Sequence, residues 1–342
     1  MSTPCAAPFP FFVGCGRSGT TLVRAMFDSH PDMAVVYESF FVSRLLRSRA
    51  RYEGPEGFAA DRFAADLAAH FAFETLGMSE PEVADALAPP PADTAGAIRR
   101  VYGRYAEGQG KERYADKTPM YVQVIPTLAA GLPEARFVHI IRDGRDVALG
   151  YMHAPWGPMR LADASLYWKR NVDRGRTAGA RLGPQRYREV RYEQLIDEPE
   201  PVLRELCDFL ELAFDPAMLR YYERSNEVLS TINNPQYHRG LSMPITKGMR
   251  DWRAQMGEGD VAVFEALAGD TLAAAGDERR HDPPAGRVRV AAAMGRGRVE
   301  AARLGHRVVK DSRRFRRRLT GEPEARLRKG AAGGDPGSGR PS

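Results

Sequence analysis

The sequence predicts an α/β fold of the P-loop kind, three layers with a central parallel sheet flanked by helices. Three observations carry this. Strand-like and helix-like segments alternate through the first 284 residues, the pattern that parallel sheets with crossover helices produce. A glycine-rich turn, Gly14-Cys15-Gly16-Arg17-Ser18-Gly19, stands between the first strand and the first helix, where phosphate-cradling loops occur. The run Phe137-Val138-His139-Ile140-Ile141 is apolar almost throughout, as a strand covered on both faces should be.

Taken in order, residues 9–13 read as the first strand, and the helix after the turn carries Leu22, Val23, Met26 and Phe27 on one face. Residues 33–37 give a second short strand, 137–141 a third and 187–190 a fourth. Residues 44–113 are rich in Ala, Arg and acidic side chains, with a break at Pro89-Pro90-Pro91 and no strand pattern. They read as a helical insertion within one domain spanning 1–284. Tyr114-Ala115-Asp116-Lys117-Thr118-Pro119 has the form of a helix start, with Thr118 as cap and Pro119 at the first helical position. Lys117 would then precede a helix N-terminus.

At 342 residues the chain is long enough for one large domain or two ordinary ones. A hydrophobic fraction of 43% with 27% charged residues excludes collagen, coiled coil and general disorder. No stretch approaches the roughly 18 to 20 apolar residues of a membrane span. Cleaving a signal peptide would remove the strand beginning at Phe9, so none is expected, and three cysteines without metal-site spacing suggest neither a disulfide framework nor a structural metal. A cytoplasmic location is the expectation. The charge is unevenly divided. Residues 285–342 hold 16 Lys plus Arg against 5 Asp plus Glu, a net of +11, which leaves the first 284 residues at −5. This tail is expected to be helical over 291–319 and disordered beyond, a solubilising appendage or one making weak contact with an anionic surface.

In the glycine-rich turn the glycines occupy the first and sixth positions of a phosphate loop, but Thr20 stands where a nucleoside-triphosphate enzyme has its lysine. The cation has moved forward to Arg17, whose fork of donors suits an oxyanion. An anion ligand is expected, without magnesium.

The segment from Phe11 to Ser39 resembles the 5′-phosphosulfate-binding region of sulfotransferases, most of all the branch holding the tyrosylprotein sulfotransferases and their bacterial relatives. The resemblance implies a sulfotransferase-type fold and 3′-phosphoadenosine 5′-phosphosulfate (PAPS) as sulfuryl donor. Gly16, Arg17, Ser18, Gly19, Thr20 and Thr21 would then hold the 5′-phosphosulfate. Arg142, in Arg142-Asp143-Gly144-Arg145-Asp146, is similar to the arginine that grips the 3′-phosphate, although a structural ion pair with Asp143 or Asp146 is the other reading; Arg145 reads as structural. The family's usual serine eight residues later is here Gly150, so Tyr151, water or another group must substitute. Lys117 resembles the lysine that reaches the transferring group. Tyr192 is a candidate for the adenine side, and Lys247 and Gly248 are candidate phosphate contacts in a segment that closes over the donor. The likeness spans about residues 9–256.

Sulfuryl transfer to a hydroxyl needs alignment, positive potential at the leaving oxygen and a base. Arg17 and Lys117 would supply the potential and Glu38, at the end of the second strand, the base. His30 is the other familiar base type, but its place at the end of the first helix is favourable on structural grounds alone. Two other readings stay open: a nucleotide-dependent phosphotransferase on a similar loop, and an anion- or nucleic-acid-binding module acting through Arg313-Arg314-Phe315-Arg316-Arg317-Arg318. No metal and no specific nucleic acid are expected. The acceptor is unspecified, whether small molecule, carbohydrate or peptide, with the 44–113 insertion expected to cap its pocket.

Overall fold

Strands covered on both faces favour parallel pairing, and five such strands form the sheet in the computed structural model, which describes residues 7–154, 157–158, 160–224, 240–245, 251–281, 286–301 and 304. They are β1 (Phe9–Gly14), β2 (Met33–Tyr37), β5 (Arg113–Lys117), β6 (Ala135–Ile141) and β7 (Tyr187–Arg191), in the order β2-β5-β1-β6-β7. Every pairing is parallel. A small antiparallel hairpin, β3 (Glu53–Gly54) with β4 (Gly57–Phe58), stands apart within the 44–113 segment.

Side chains alternate across a strand, so Phe11 and Phe12 serve opposite layers. Phe12 packs with Val23, Met26 and Phe27 of α1 (Thr20–Asp28) and with Leu203 and Leu206 of α10 (Pro199–Phe209), which follows α9 (Tyr192–Asp197). Phe11 joins Phe9 and Phe137 against α2 (Val42–Arg47), α3 (Ala60–Ala68) and α5 (Thr94–Glu107), beside α4 (Glu80–Ala86) and α6 (Ile125–Gly131). The 44–113 segment therefore supplies much of one covering layer. A third cluster links Ile141 to α7 (Gly144–Met152), α8 (Leu161–Leu182) and α12 (Glu258–Ala274), with α11 (Trp252–Gln255) nearby.

Residues 113–117 are not the approach to a helix; they form β5, between β2 and β1. Asp116 and Lys117 look like surface charges in sequence, yet both are fully buried and each has a partner, the Tyr102 hydroxyl and the Glu38 carboxylate. Thr118 is extended and makes no side-chain cap, and the turn that follows is the 3-10 helix Pro119–Gln123. Lys117 thus sits at a strand end. Of the helix expected over 291–319, residues 291–301 and 304 are helical, as are 286–290 before it, while 302–303 and 305–319 lie outside the described residues. No helix among the described residues is long and apolar enough to cross a membrane.

Because the strands are parallel, Gly14, Tyr37, Lys117, Ile141 and Arg191 end at one edge of the sheet. In open α/β sheets this carboxyl edge is where ligands bind.

Candidate active site

The turn from β1 into α1 is made by two left-handed residues, Arg17 at φ 72° and Gly19 at φ 90°. Gly19 serves both the turn and a close approach, since a Cβ there would lie 2.2 Å from the Tyr192 ring. Gly19 also caps α1 without any side-chain hydrogen bond. The first-turn amides thus face the edge without a side-chain acceptor, as an anion site needs. Ser18 is buried, and its Oγ makes no hydrogen bond. Thr20 and Thr21 are buried at the helix start, Arg17 is half-exposed, and Gly16 packs under the Tyr151 ring, whose hydroxyl oxygen would meet an added Cβ at 2.4 Å.

Beside this loop, the last β2–β5 rung pairs Tyr37 with Lys117. The next residue, Glu38, donates its N–H to the Lys117 carbonyl at 2.8 Å. Lys117 Nζ donates to Glu38 Oε1 at 2.9 Å and lies 3.8 Å from the centre of the Tyr37 ring. Burial pulls the ammonium below its ordinary pKa, and Glu38 pulls it back up. Glu38 has φ 50° and Phe40 φ 50°, a conformation that bulky residues rarely adopt. Asp116 beneath them accepts from the Tyr102 hydroxyl at 2.6 Å, and burial raises its pKa to about 6.

Across the loop, Arg142 follows β6 and is largely buried. Its Nη2 donates to Asp146 Oδ2 at 3.1 Å and its guanidinium lies 4.5 Å from the centre of the Tyr192 ring. Of the two partners the sequence offers, the fold selects Asp146, one helical turn on. The other Asp146 oxygen accepts the Trp252 backbone N–H at 2.8 Å, which ties the start of α11 to Arg142. Asp143 caps α7 and binds Arg145, which also bonds Glu265 at 2.7 Å and stacks on Trp252 at 3.6 Å. The structural reading of Arg145 holds. Gly150 is buried within α7. The hydroxyl of Tyr151, beside it, lies between the Cys15 thiol and the Tyr167 hydroxyl, and burial pushes the Cys15 thiol up to about 12.

The fold thus gathers Gly16 to Thr21, Glu38, Lys117, Arg142 and Tyr192 along one edge. Lys247 and Gly248 lie outside the described residues. His30 accepts the Asp32 N–H at Nδ1 and so presents its Nε2 hydrogen to the Ala213 carbonyl, 2.7 Å away, a structural clasp. Sequence reasoning missed Tyr37, Asp116 and the two-sided role of Asp146; only the Asp at four residues from Arg142, a helical ion-pair spacing, signalled any of them. A cavity of about 600 Å³ opens beside Glu38, lined by Tyr37, Phe40, Phe71, Met78 and Arg104 among others. Glu38 is its link to the loop. Among the described residues no group of three or more His, Cys, Asp or Glu side chains is placed to hold a metal.

Comparison with known proteins bears on this edge. A protein-tyrosine sulfotransferase of Drosophila melanogaster is 24% identical over 226 residues, covering 64% of this chain and 41% of its own length. Protein-tyrosine sulfotransferase A of Caenorhabditis elegans is 22% identical over 268 residues, covering 77% of this chain and 65% of its own. This chain therefore spans from under half to about two thirds of these relatives. Among solved structures, the sulfotransferase domain from the Synechococcus PCC 7002 olefin synthase aligns with a TM-score of 0.55 at 25% identity, over 78% of this chain and 94% of that one. The family model described as the sulfotransferase family matches residues 8–216, a stretch that holds the loop, Glu38, Lys117, Arg142 and Tyr192 and makes up more than half of the sequence. On that match the chain belongs to the sulfotransferase family.

Proposed function

We propose that the protein transfers a sulfuryl group from PAPS to a hydroxyl or amine of an acceptor held in the cavity beside Glu38, without a metal ion. The observation that carries this reading is the convergence of the uncapped α1 N-terminus, the partnerless Ser18 hydroxyl and the pairing of buried Lys117 with half-buried Glu38 on one sheet edge. These features suit a phosphosulfate, and Arg142 beside the Tyr192 ring suits a nucleoside carrying a further phosphate. PAPS, when bound, supplies the electrophilic sulfur.

The residues of the chain do the rest. The α1 amides and Ser18 hold the 5′ anion, and Lys117 and Arg17 set a fixed positive potential where negative charge grows on the leaving oxygen. Glu38 faces the cavity and takes the acceptor proton late in transfer, when that proton has become acidic. The cavity offers an acceptor an apolar wall of Phe40, Phe71 and Met78 together with the polar groups of Glu74, Glu82 and Arg104, within the usual size range of small-molecule sites.

The test is calorimetric binding of adenosine 3′,5′-bisphosphate, ADP and ATP, with and without magnesium, together with transfer of radiolabelled sulfur from PAPS to a broad acceptor panel. Metal-independent preference for the bisphosphate is expected. Equal binding of the three nucleotides, or no labelled product from any acceptor, would remove the proposal.

A further inference from the structure

We propose that the helix over 286–301 docks the protein on an anionic lipid surface. The inference is independent of the transfer reaction. This helix has two contrasting sides, set by its own periodicity. On one side Ala292 and Val299 are buried, and Gly295 comes so close to α8 that an added Cβ would lie 2.8 Å from the Ala162 Cβ. That side attaches the helix to the domain, helped by the Arg298–Asp163 pair at 3.4 Å.

The opposite side carries Val290 at 60% and Met294 at 73% exposure, and Leu304, also helical, follows at 64%. Large exposed apolar side chains are otherwise scattered singly among the described residues, at Phe71, Met120 and Met243. Val290 and Met294, one turn apart on the outward face of this helix, with exposed Leu304 beyond it, ask for a covering. Exposed Arg287 and Arg298 flank the stripe on one side, and Arg289 and Arg296 on the other, with Glu300 the lone acidic residue of the segment. An apolar ridge between two rows of arginine, held parallel to the protein surface, is the build of an interfacial helix.

Charge decides between occupants. The sequence from residue 285 carries +11, which attracts an anionic leaflet. A phosphate backbone alone would use the arginines and leave the ridge in water. A second copy could offer its own ridge, but pairing the two would set the arginine rows of both copies against each other.

The experiment is co-sedimentation of the full chain with vesicles of phosphatidylcholine alone and of phosphatidylcholine mixed with phosphatidylserine, at low and raised salt. Binding to the mixed vesicles only, weakened by salt, is expected. The pair Val290→Glu with Met294→Glu should weaken it by about tenfold or more, and so should Arg287→Ser with Arg289→Ser. Both pairs should leave helicity by circular dichroism and any transferase turnover unchanged, since these side chains are exposed and do not line the cavity beside Glu38. Failure of the parent to bind mixed vesicles would overturn the proposal, as would undiminished binding by the Val290/Met294 variant. Light scattering adds a further check: a parent dimer that this variant turns into monomer, with vesicles ignored by both, would assign the ridge to self-association instead.

Discussion

Lys117 Nζ donates to Glu38 Oε1 at 2.9 Å, and the two residues also share the backbone bond that continues the β2–β5 ladder. The ammonium is fully buried, so its charge persists through two neighbours, the carboxylate and the Tyr37 ring. The proposed base and the proposed electrostatic group are therefore one coupled unit. Removing the carboxylate removes the charge that holds the buried ammonium up.

Glu38→Gln keeps the shape and the oxygen that accepts from Lys117 while removing the base. Turnover should fall by about 10² to 10⁴, the usual contribution of a general base. Affinity for adenosine 3′,5′-bisphosphate, measured by calorimetry, should stay within a few-fold. Loss of both together would make Glu38 a structural residue.

The pH profile follows from the same pair. Desolvation holds the Lys117 ammonium below the ordinary lysine value of 10.5, so it loses its proton at a pH where a surface lysine keeps it. If its charge assists transfer, kcat falls as pH rises through that lowered pKa. In Glu38→Gln the counter-charge is gone, and the residual activity should show its alkaline limb at still lower pH. An unmoved limb in the variant would assign it to another group.

Much of this edge was legible in sequence, because a glycine-rich turn after an apolar strand and an arginine after another are local signals. The first helix, β2, β6 and β7 followed from periodicity. β5 was not legible: Arg113-Tyr114-Ala115-Asp116-Lys117 reads as polar, and the hydrogen-bond partners that make its charges tolerable inside, Tyr102 and Glu38, are 14 and 79 residues away in sequence. The Asp146 link to Trp252 spans 106 residues and was hidden for the same reason. Burial of a charge is a property of its partners, and partners distant in sequence leave no pattern.

Arg142→Ala should weaken adenosine 3′,5′-bisphosphate by about 10- to 100-fold, the worth of a charge-assisted hydrogen bond, and barely affect ADP. Asp146→Asn should act on the same affinity differently. It removes the negative charge from Arg142 but keeps an acceptor for the Trp252 N–H. Bisphosphate binding should therefore change less than in Arg142→Ala, with the 3′-phosphate preference retained. Calorimetry on both variants separates a phosphate contact from a structural ion pair.

Gly19→Ala places a Cβ 2.2 Å from the Tyr192 ring at a backbone φ of 90°. Both the clash and the left-handed backbone should contribute, lowering stability by about 1 to 3 kcal/mol. Adding Tyr192→Ala removes the clash but not the backbone strain. The double variant should be more stable than the sum of the single changes implies, with a coupling on the order of 1 kcal/mol, read from denaturant melts. Additivity would mean that the ring moves aside freely.

Asp116 makes the fold's stability depend on pH. Burial raises its pKa from 3.8 to about 6, so the folded state holds the carboxyl proton more tightly than the unfolded chain does. By linkage the stabilisation from protonating it is complete below about pH 4 and is lost as pH rises through about 6. At neutral pH the buried carboxylate then costs on the order of 3 kcal/mol relative to its neutral form. Asp116→Asn keeps an acceptor for the Tyr102 hydroxyl and carries no charge, so at neutral pH it should melt higher than the parent. The gap should narrow as pH is lowered toward 4. Asp277, raised to about 6 mainly by burial, gives a similar slope of its own, so the variant's pH dependence should be flattened and not abolished. A parent whose melting temperature rises from pH 4 to 7 in parallel with the variant would show that Asp116 is not the group responsible.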